Sequence, residues 1–250
     1  MKKKFLIVAF FMTLSTLHCL SSTSVMNDVD KAVIEYQKKN YKNAFNLFKK
    51  AAERGDTSAM YILGLLYREG KGTPTDIKKA FYWYKKAAER GDTSAMYILG
   101  LLYKEGKGTP TDIKKAFHWY EKAAERGDTN AMNNLGLLYA APGTTKDIEQ
   151  AFYWFKKAVE LGCPEAMNNL GLLYDNGEGT LKDPKQAFYW YKKAAELGDT
   201  NAMNNLGLLY AAGEGTTKDL KQAKYWIKKA YDAGLSKAER GWNAYELYKY

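Results

Sequence analysis

The sequence predicts an all-α fold, a solenoid of helix pairs repeating about every 36 residues. Three observations carry this. An Ala followed five residues later by Gly and eight later by Tyr occurs at Ala59/Gly64/Tyr67, Ala95/Gly100/Tyr103, Ala131/Gly136/Tyr139, Ala166/Gly171/Tyr174 and Ala202/Gly207/Tyr210. A second anchor runs in step. Ala80, Ala116, Ala151, Ala187 and Ala223 each stand three residues before a Trp, namely Trp83, Trp119, Trp154, Trp190 and Trp226. The 36-residue stretches beginning at Gly55 and Gly91 differ only at Arg68/Lys104, Tyr82/His118 and Lys85/Glu121, which points to duplication of whole units.

The composition agrees. With 46% apolar and 26% charged residues the chain is globular rather than disordered. Its 20 Tyr, 6 Trp and only 5 Pro suit stacked helices with large side chains between them.

Residues 1–24 are expected to be a secretory signal peptide. Lys2, Lys3 and Lys4 form a basic start and Phe5 to Leu14 a short apolar run; small polar residues follow as far as Ser24. The run is short for a bilayer span. Cleavage after Ser24 is favoured over lipid attachment at Cys19 or an uncleaved anchor. The expected destination is the bacterial periplasm or beyond, and a membrane enters only through an uncleaved or lipidated leader. Without the three leader lysines the net charge of +10 falls to +7, moderate for this length. Cys19 lies in the leader, so Cys163 is left alone and no internal disulfide is expected.

Residues 25–55 keep the second-helix pattern (Ala44, Phe45, Phe48, Ala51) behind a more polar first helix, and read as an N-terminal capping pair. Five units follow at 56–91, 92–127, 128–162, 163–198 and 199–234. In each, the first helix buries a stripe like Ala59, Leu63, Leu66 and Tyr67; it is capped by an Asp such as Asp56 and ended by glycines such as Gly70 and Gly72. The second helix begins after Asp76, Asp112, Asp147, Asp183 or Asp219 and buries Ala80, Trp83, Tyr84 and Ala87 or their equivalents. Gly64 sits in mid-helix, where glycine costs about 1 kcal/mol, so its recurrence predicts a close approach of two helices. Residues 235–250 begin another first helix and turn polar, as a C-terminal cap would.

The unit A-M-N-N-L-G-L-L-Y, then G-x-G, D, K-Q-A and W-Y-K-K-A-A-E-x-G, resembles the Sel-1-like repeat, a relative of the tetratricopeptide repeat. The resemblance covers about residues 56–234. It implies a right-handed α-α superhelix and a role as an adaptor that holds proteins or peptides. Many bacterial members are exported, and some are linked to host contact. Some exported, cysteine-rich relatives are linked to β-lactam binding or hydrolysis, but the cysteine pair they carry in each repeat is missing here. The expected function is therefore a non-catalytic scaffold for a protein or extended peptide. The alternatives are an envelope enzyme of the β-lactamase-like type or a host-directed virulence or entry factor.

No residue set points to catalysis, metal or cofactor. The two histidines are His18 in the leader and His118, which stands where the twin unit has Tyr82. Cys163 occupies a cap position matched by Asp92 and Asp128; a passive thiol is favoured over one activated at a helix N-terminus. The Gly-x-Gly pairs lack a preceding strand and a G-K-[ST], so they read as turns rather than phosphate loops. Lysines beside Tyr and Trp read as a solvated outer face, and no nucleic acid is expected.

In helix-pair solenoids of this kind the first helices line the concave side. Positions off the buried stripe are then candidates for a peptide-binding groove: Tyr61, Ile62, Tyr97, Ile98, Asn133, Asn134, Asn168, Asn169, Asn204 and Asn205. Asn offers both a donor and an acceptor and can pair with a peptide backbone of any sequence. The competing reading is that these residues solvate or pack their own helices.

Overall fold

Aspartate caps start the helices where the spacing places them. Asp56, Asp92, Asp128 and Asp199 each accept, through a side-chain oxygen, a 2.7 Å hydrogen bond from the backbone N–H three residues on, at Ala59, Ala95, Ala131 and Ala202. Such a cap meets one of the N–H groups left unpaired in a first helical turn. Asp76, Asp112, Asp147, Asp183 and Asp219 do the same for the second helices. Cys163 makes no side-chain cap bond; Pro164 takes the first turn there, where a missing N–H costs nothing.

The computed structural model describes residues 27–141 and 147–244. Its helices are α1 (Asp28–Gln37), α2 (Tyr41–Glu53), α3 (Thr57–Glu69), α4 (Ile77–Glu89), α5 (Thr93–Glu105), α6 (Ile113–Glu125), α7 (Thr129–Ala140), α8 (Ile148–Glu160), α9 (Pro164–Asn176), α10 (Pro184–Glu196), α11 (Thr200–Ala212), α12 (Leu220–Asp232) and α13 (Ala238–Ala244). No strand occurs among the described residues. The leader, with Cys19 and His18, lies outside them, as does most of the shortened loop after Ala141.

The chain forms two compact units that divide after Ala116, inside α6. In the first, α1 packs on α2 and α3 on α4, and α2 and α4 each pack on the helix that follows. In the second, α7/α8, α9/α10 and α11/α12 are pairs, α8 and α10 each touch the next pair, and α13 lies on α12 and α11. The second-helix stripe is buried as expected: Ala80, Tyr84 and Ala87 are at 0% exposure and Trp83 at 9%.

The mid-helix glycines hold the pairs together. A Cβ on Gly64 would lie 2.9 Å from the ring of Tyr84, one on Gly136 2.7 Å from Phe155, and one on Gly171 2.8 Å from Tyr191. The ring of the second helix sits on the bare backbone of the first, which explains a glycine where helix propensity disfavours one.

Between repeats, two contacts recur. The second glycine of each Gly-x-Gly turn lies against the opening turn of the preceding second helix; a Cβ on Gly108 would meet the Ile77 carbonyl at 2.6 Å and one on Gly179 the Ile148 carbonyl at 2.7 Å. A Phe of each second helix also meets the Tyr of the next first helix edge to face, as in Phe81–Tyr103 at 5.3 Å, Phe152–Tyr174 at 5.4 Å and Phe188–Tyr210 at 5.1 Å. Such pairs contribute about 0.5–1.5 kcal/mol beyond their buried area.

Candidate functional site

The first helices carry the ten candidate positions, and the structure divides them. In the first unit Ile62 is buried, at 2% exposure, and belongs to the core of α3. It therefore does not lie off the buried stripe: the stripe of α3 is wider than Ala59, Leu63, Leu66 and Tyr67, and takes in Met60, Ile62 and Leu65 as well. Tyr61 is half-buried with its ring 5.7 Å from that of Tyr84. Tyr97 and Ile98 are half-buried on α5.

In the second unit the asparagines form a ladder. Asn169 donates from Nδ2 to Oδ1 of Asn133 at 2.9 Å, linking α9 to α7. Asn205 donates from Nδ2 to Oδ1 of Asn168 at 3.1 Å, linking α11 to α9. Asn134 turns back to the carbonyl of Asn130 in its own helix, at 2.9 Å. Asn133 and Asn204 are buried, at 8% and 4% exposure, and so depart from the expected surface position. Asn134, Asn168, Asn169 and Asn205 stay half-buried. Part of the amide chemistry read as ligand-binding thus joins one repeat to the next. An Asn pair can do this because each amide carries both a donor and an acceptor.

Beside the ladder lie leucines that the sequence reading missed. Leu137 on α7 and Leu172 on α9 are exposed at 39% and 43%, and Leu208 on α11 is half-buried at the equivalent position. Of their counterparts in the first unit, Leu65 is 7% exposed and Leu101 is half-buried. A signal was present: the middle leucine of the L-G-L-L run falls off the Ala59–Leu63–Leu66 stripe. The second unit therefore offers half-buried amides flanked by exposed aliphatic side chains.

One ionisable cluster adjoins the ladder. Asp175, at the end of α9, lies by the buried hydroxyl of Tyr191 and near Lys182 and Glu214. Burial raises its carboxyl pKa and Glu214 adds to the rise, while Lys182 and the Tyr191 hydroxyl oppose it. Burial also raises the Tyr191 hydroxyl, with Asp175 reinforcing it.

Cys163 is buried, and burial pushes its thiol up to about 11, with Glu165 adding to the rise and the backbone amides of the α9 start opposing it. Desolvation outweighs the amides of the helix N-terminus and so opposes activation of the thiol. His118 is exposed, edge-on to Trp119 at 5.4 Å. Among the described residues no group of three or more His, Cys, Asp or Glu could hold a metal ion, and no helix is long and apolar enough to cross a membrane.

The family model described as Sel1 repeat matches residues 35–56, 57–92, 93–128, 129–163, 164–199 and 200–235. The crystal structure of a Sel1 repeat protein from Oxalobacter formigenes is similar with a TM-score of 0.80 and 33% identity, over 86% of this chain and 86% of that one. The structure of c5321, a protective antigen present in uropathogenic Escherichia coli strains, is similar with a TM-score of 0.78 and 34% identity; the match covers 84% of this chain but 46% of that one. A chain of the APC/C hetero-tetramer Cut9–Hcn1 shares the fold alone, with a TM-score of 0.58 at 16% identity, over 87% of this chain and 42% of that one. Among proteins of curated function, none matches the sequence. The expected helix-pair solenoid is the fold of these repeat proteins.

Proposed function

The chain belongs to the Sel1-repeat family, and from that premise we propose that it is a non-catalytic scaffold that holds a protein or extended peptide along its first helices. The observation that carries this is the surface of the second unit. Exposed Leu137 and Leu172 stand beside the half-buried amides of Asn134, Asn168, Asn169 and Asn205. Leucines supply apolar area to side chains of a bound segment, and amides supply donors and acceptors to its backbone. Tyr61, Tyr97 and Ile98 occupy the equivalent first-helix positions in the first unit, with less polar chemistry.

Export is part of this proposal. Its support is the leader pattern, Lys2–Lys4 followed by the apolar run from Phe5 to Leu14. Fractionation of the native host, with the mature N-terminus sequenced, tests it: protein retained in the cytosol with its leader intact overturns this part.

A host-directed role is the second reading, favoured by the 34% identity to a protein described as a protective antigen of uropathogenic strains.

The binding proposal is tested with Leu137→Glu/Leu172→Glu. Both side chains are exposed, so helicity should persist while partners cross-linked and recovered from the native envelope with the wild-type protein are lost. Equal recovery by the variant overturns the assignment of this face.

A further inference from the structure

We propose that the groove between α2 and α4 binds a carboxylate-bearing sugar ring, at a site separate from the first-helix face. The groove encloses about 460 Å³, within the range of small-ligand sites. One wall is the last turn of α2 and its cap, from Ala52 to Gly55; the other is the face of α4 carrying Tyr82, Trp83, Lys86 and Arg90.

The wall on α4 is built. Tyr82 is 48% exposed and meets Trp83 edge to face at 5.2 Å. The Nζ of Lys86 lies 4.9 Å from the Tyr82 ring centre and 5.6 Å from that of Trp83. Arg90 reaches across the groove and donates from Nη1 to the Gly55 carbonyl at 3.0 Å, so its guanidinium is held over the opening. Arg54 is held on the opposite wall by Asp28 at 2.7 Å. Two carboxylates share the rim, and each pairs with a lysine one turn back: Glu53 with Lys49 at 3.8 Å and Glu89 with Lys85 at 3.7 Å.

This combination selects a chemistry. An exposed aromatic ring stacks on the C–H face of a sugar. Lys86, Arg54 and Arg90 suit a carboxylate, which a guanidinium binds with two parallel hydrogen bonds. Glu53 and Glu89 accept from hydroxyl groups and repel a polyanion. A ring with several hydroxyls and a single carboxylate satisfies both signs, whereas a nucleotide would bring its phosphate charge against the glutamates.

The Tyr–Trp–Lys arrangement recurs in the second unit, with Lys157 over Tyr153 at 4.7 Å and Lys193 over Tyr189 at 4.7 Å. There Leu161 and Leu197 stand at the position of Arg90. The aromatic platform is therefore general to the array, and the arginine rim belongs to its early repeats.

Titration calorimetry of the full chain with galacturonate, a neutral galacto-oligosaccharide carrying one terminal galacturonate, and galactose tests this. Galacturonate should bind at least about tenfold tighter than galactose. Tyr82→Ala and Arg90→Leu should each weaken galacturonate about tenfold with unchanged circular dichroism; the chain's own later repeats accept leucine at the second position. Tighter binding of the oligosaccharide than of galacturonate assigns a polysaccharide residue as the ligand, and equal binding assigns the free acid. Equal affinity for galactose, no binding of either acid, full binding by both variants, or displacement of galacturonate by lower concentrations of AMP or polyglutamate overturns the proposal. Leu137 and Leu172 are not part of this groove, so its test and that of the first-helix face fail independently.

Discussion

Asn169 donates from its Nδ2 to the Oδ1 of Asn133, 2.9 Å away and 36 residues earlier in the chain. Asn168 and Asn205 repeat the relationship one helix pair later. The amides of the first helices therefore act as inter-repeat connectors as well as candidate ligand contacts.

Asn169→Ala should destabilise the second unit by about 1–3 kcal/mol, because Asn133 is 8% exposed and its carbonyl loses its donor. Replacing both residues with leucine should recover most of that loss, since no buried polar group is then left unmet. Urea denaturation of both variants, followed by tryptophan fluorescence, measures this. Additive losses would show that the two amides are not coupled.

Gly171→Ala and Leu172→Ala are adjacent and should behave oppositely. The new Cβ at 171 falls 2.8 Å from the Tyr191 ring, so overpacking should cost about 1–3 kcal/mol. Leu172 is 43% exposed, and its truncation should change stability by no more than about 0.5 kcal/mol. Hydrogen exchange in α9 and α10 reports both. Equal protection in the two variants would contradict the close packing of Gly171 on Tyr191.

Burial raises the carboxyl pKa of Asp128, against the opposing bonds from the Ala131 and Asn130 N–H groups. A folded-state pKa above the unfolded value means that the folded state holds the proton more tightly. This group therefore loses stabilising effect as the pH rises from below about 3.9 through the raised value, and contributes no further change above it. Asn caps a helix about as well as Asp and does not titrate. Asp128→Asn should thus gain stability relative to the wild type over that window and keep the gain at neutral pH. Paired melting curves between pH 3 and 7 check this; a gain that shrinks as pH rises would reverse the assignment.

The Cys163 thiol, pushed up to about 11, should react with Ellman's reagent on the order of 10²-fold more slowly in the folded protein than in urea at pH 8. Purified protein should also leave nitrocefin intact. Rapid labelling of the folded form would mean an accessible thiolate, and nitrocefin turnover would favour the enzyme reading.

Several features were legible without coordinates because they depend on residues close in sequence or repeated in register. The caps at Asp56 and Asp76 sit next to the helices they start. The recurrence of Gly64 implied a close approach, and the Tyr84 ring is what approaches. The candidate face was less legible. Ile62 looked surface-facing from one helix's stripe, yet α3 is buried over a wider arc. Leu137 and Leu172 fall off the stripe of their helices, but so does the buried Leu65, and only their exposure marks them as available to a partner.

The sequence by itself determined the period, the helix pairs and their caps, because short-range hydrogen bonding and the apolar repeat dictate them. Tertiary structure decided the roles of the asparagines. Whether Asn133 faces a ligand, solvent or Asn169 depends on how one pair docks on the next. That docking is set by turn glycines lying against the preceding second helix and by edge-to-face Phe–Tyr contacts between residues of successive repeats.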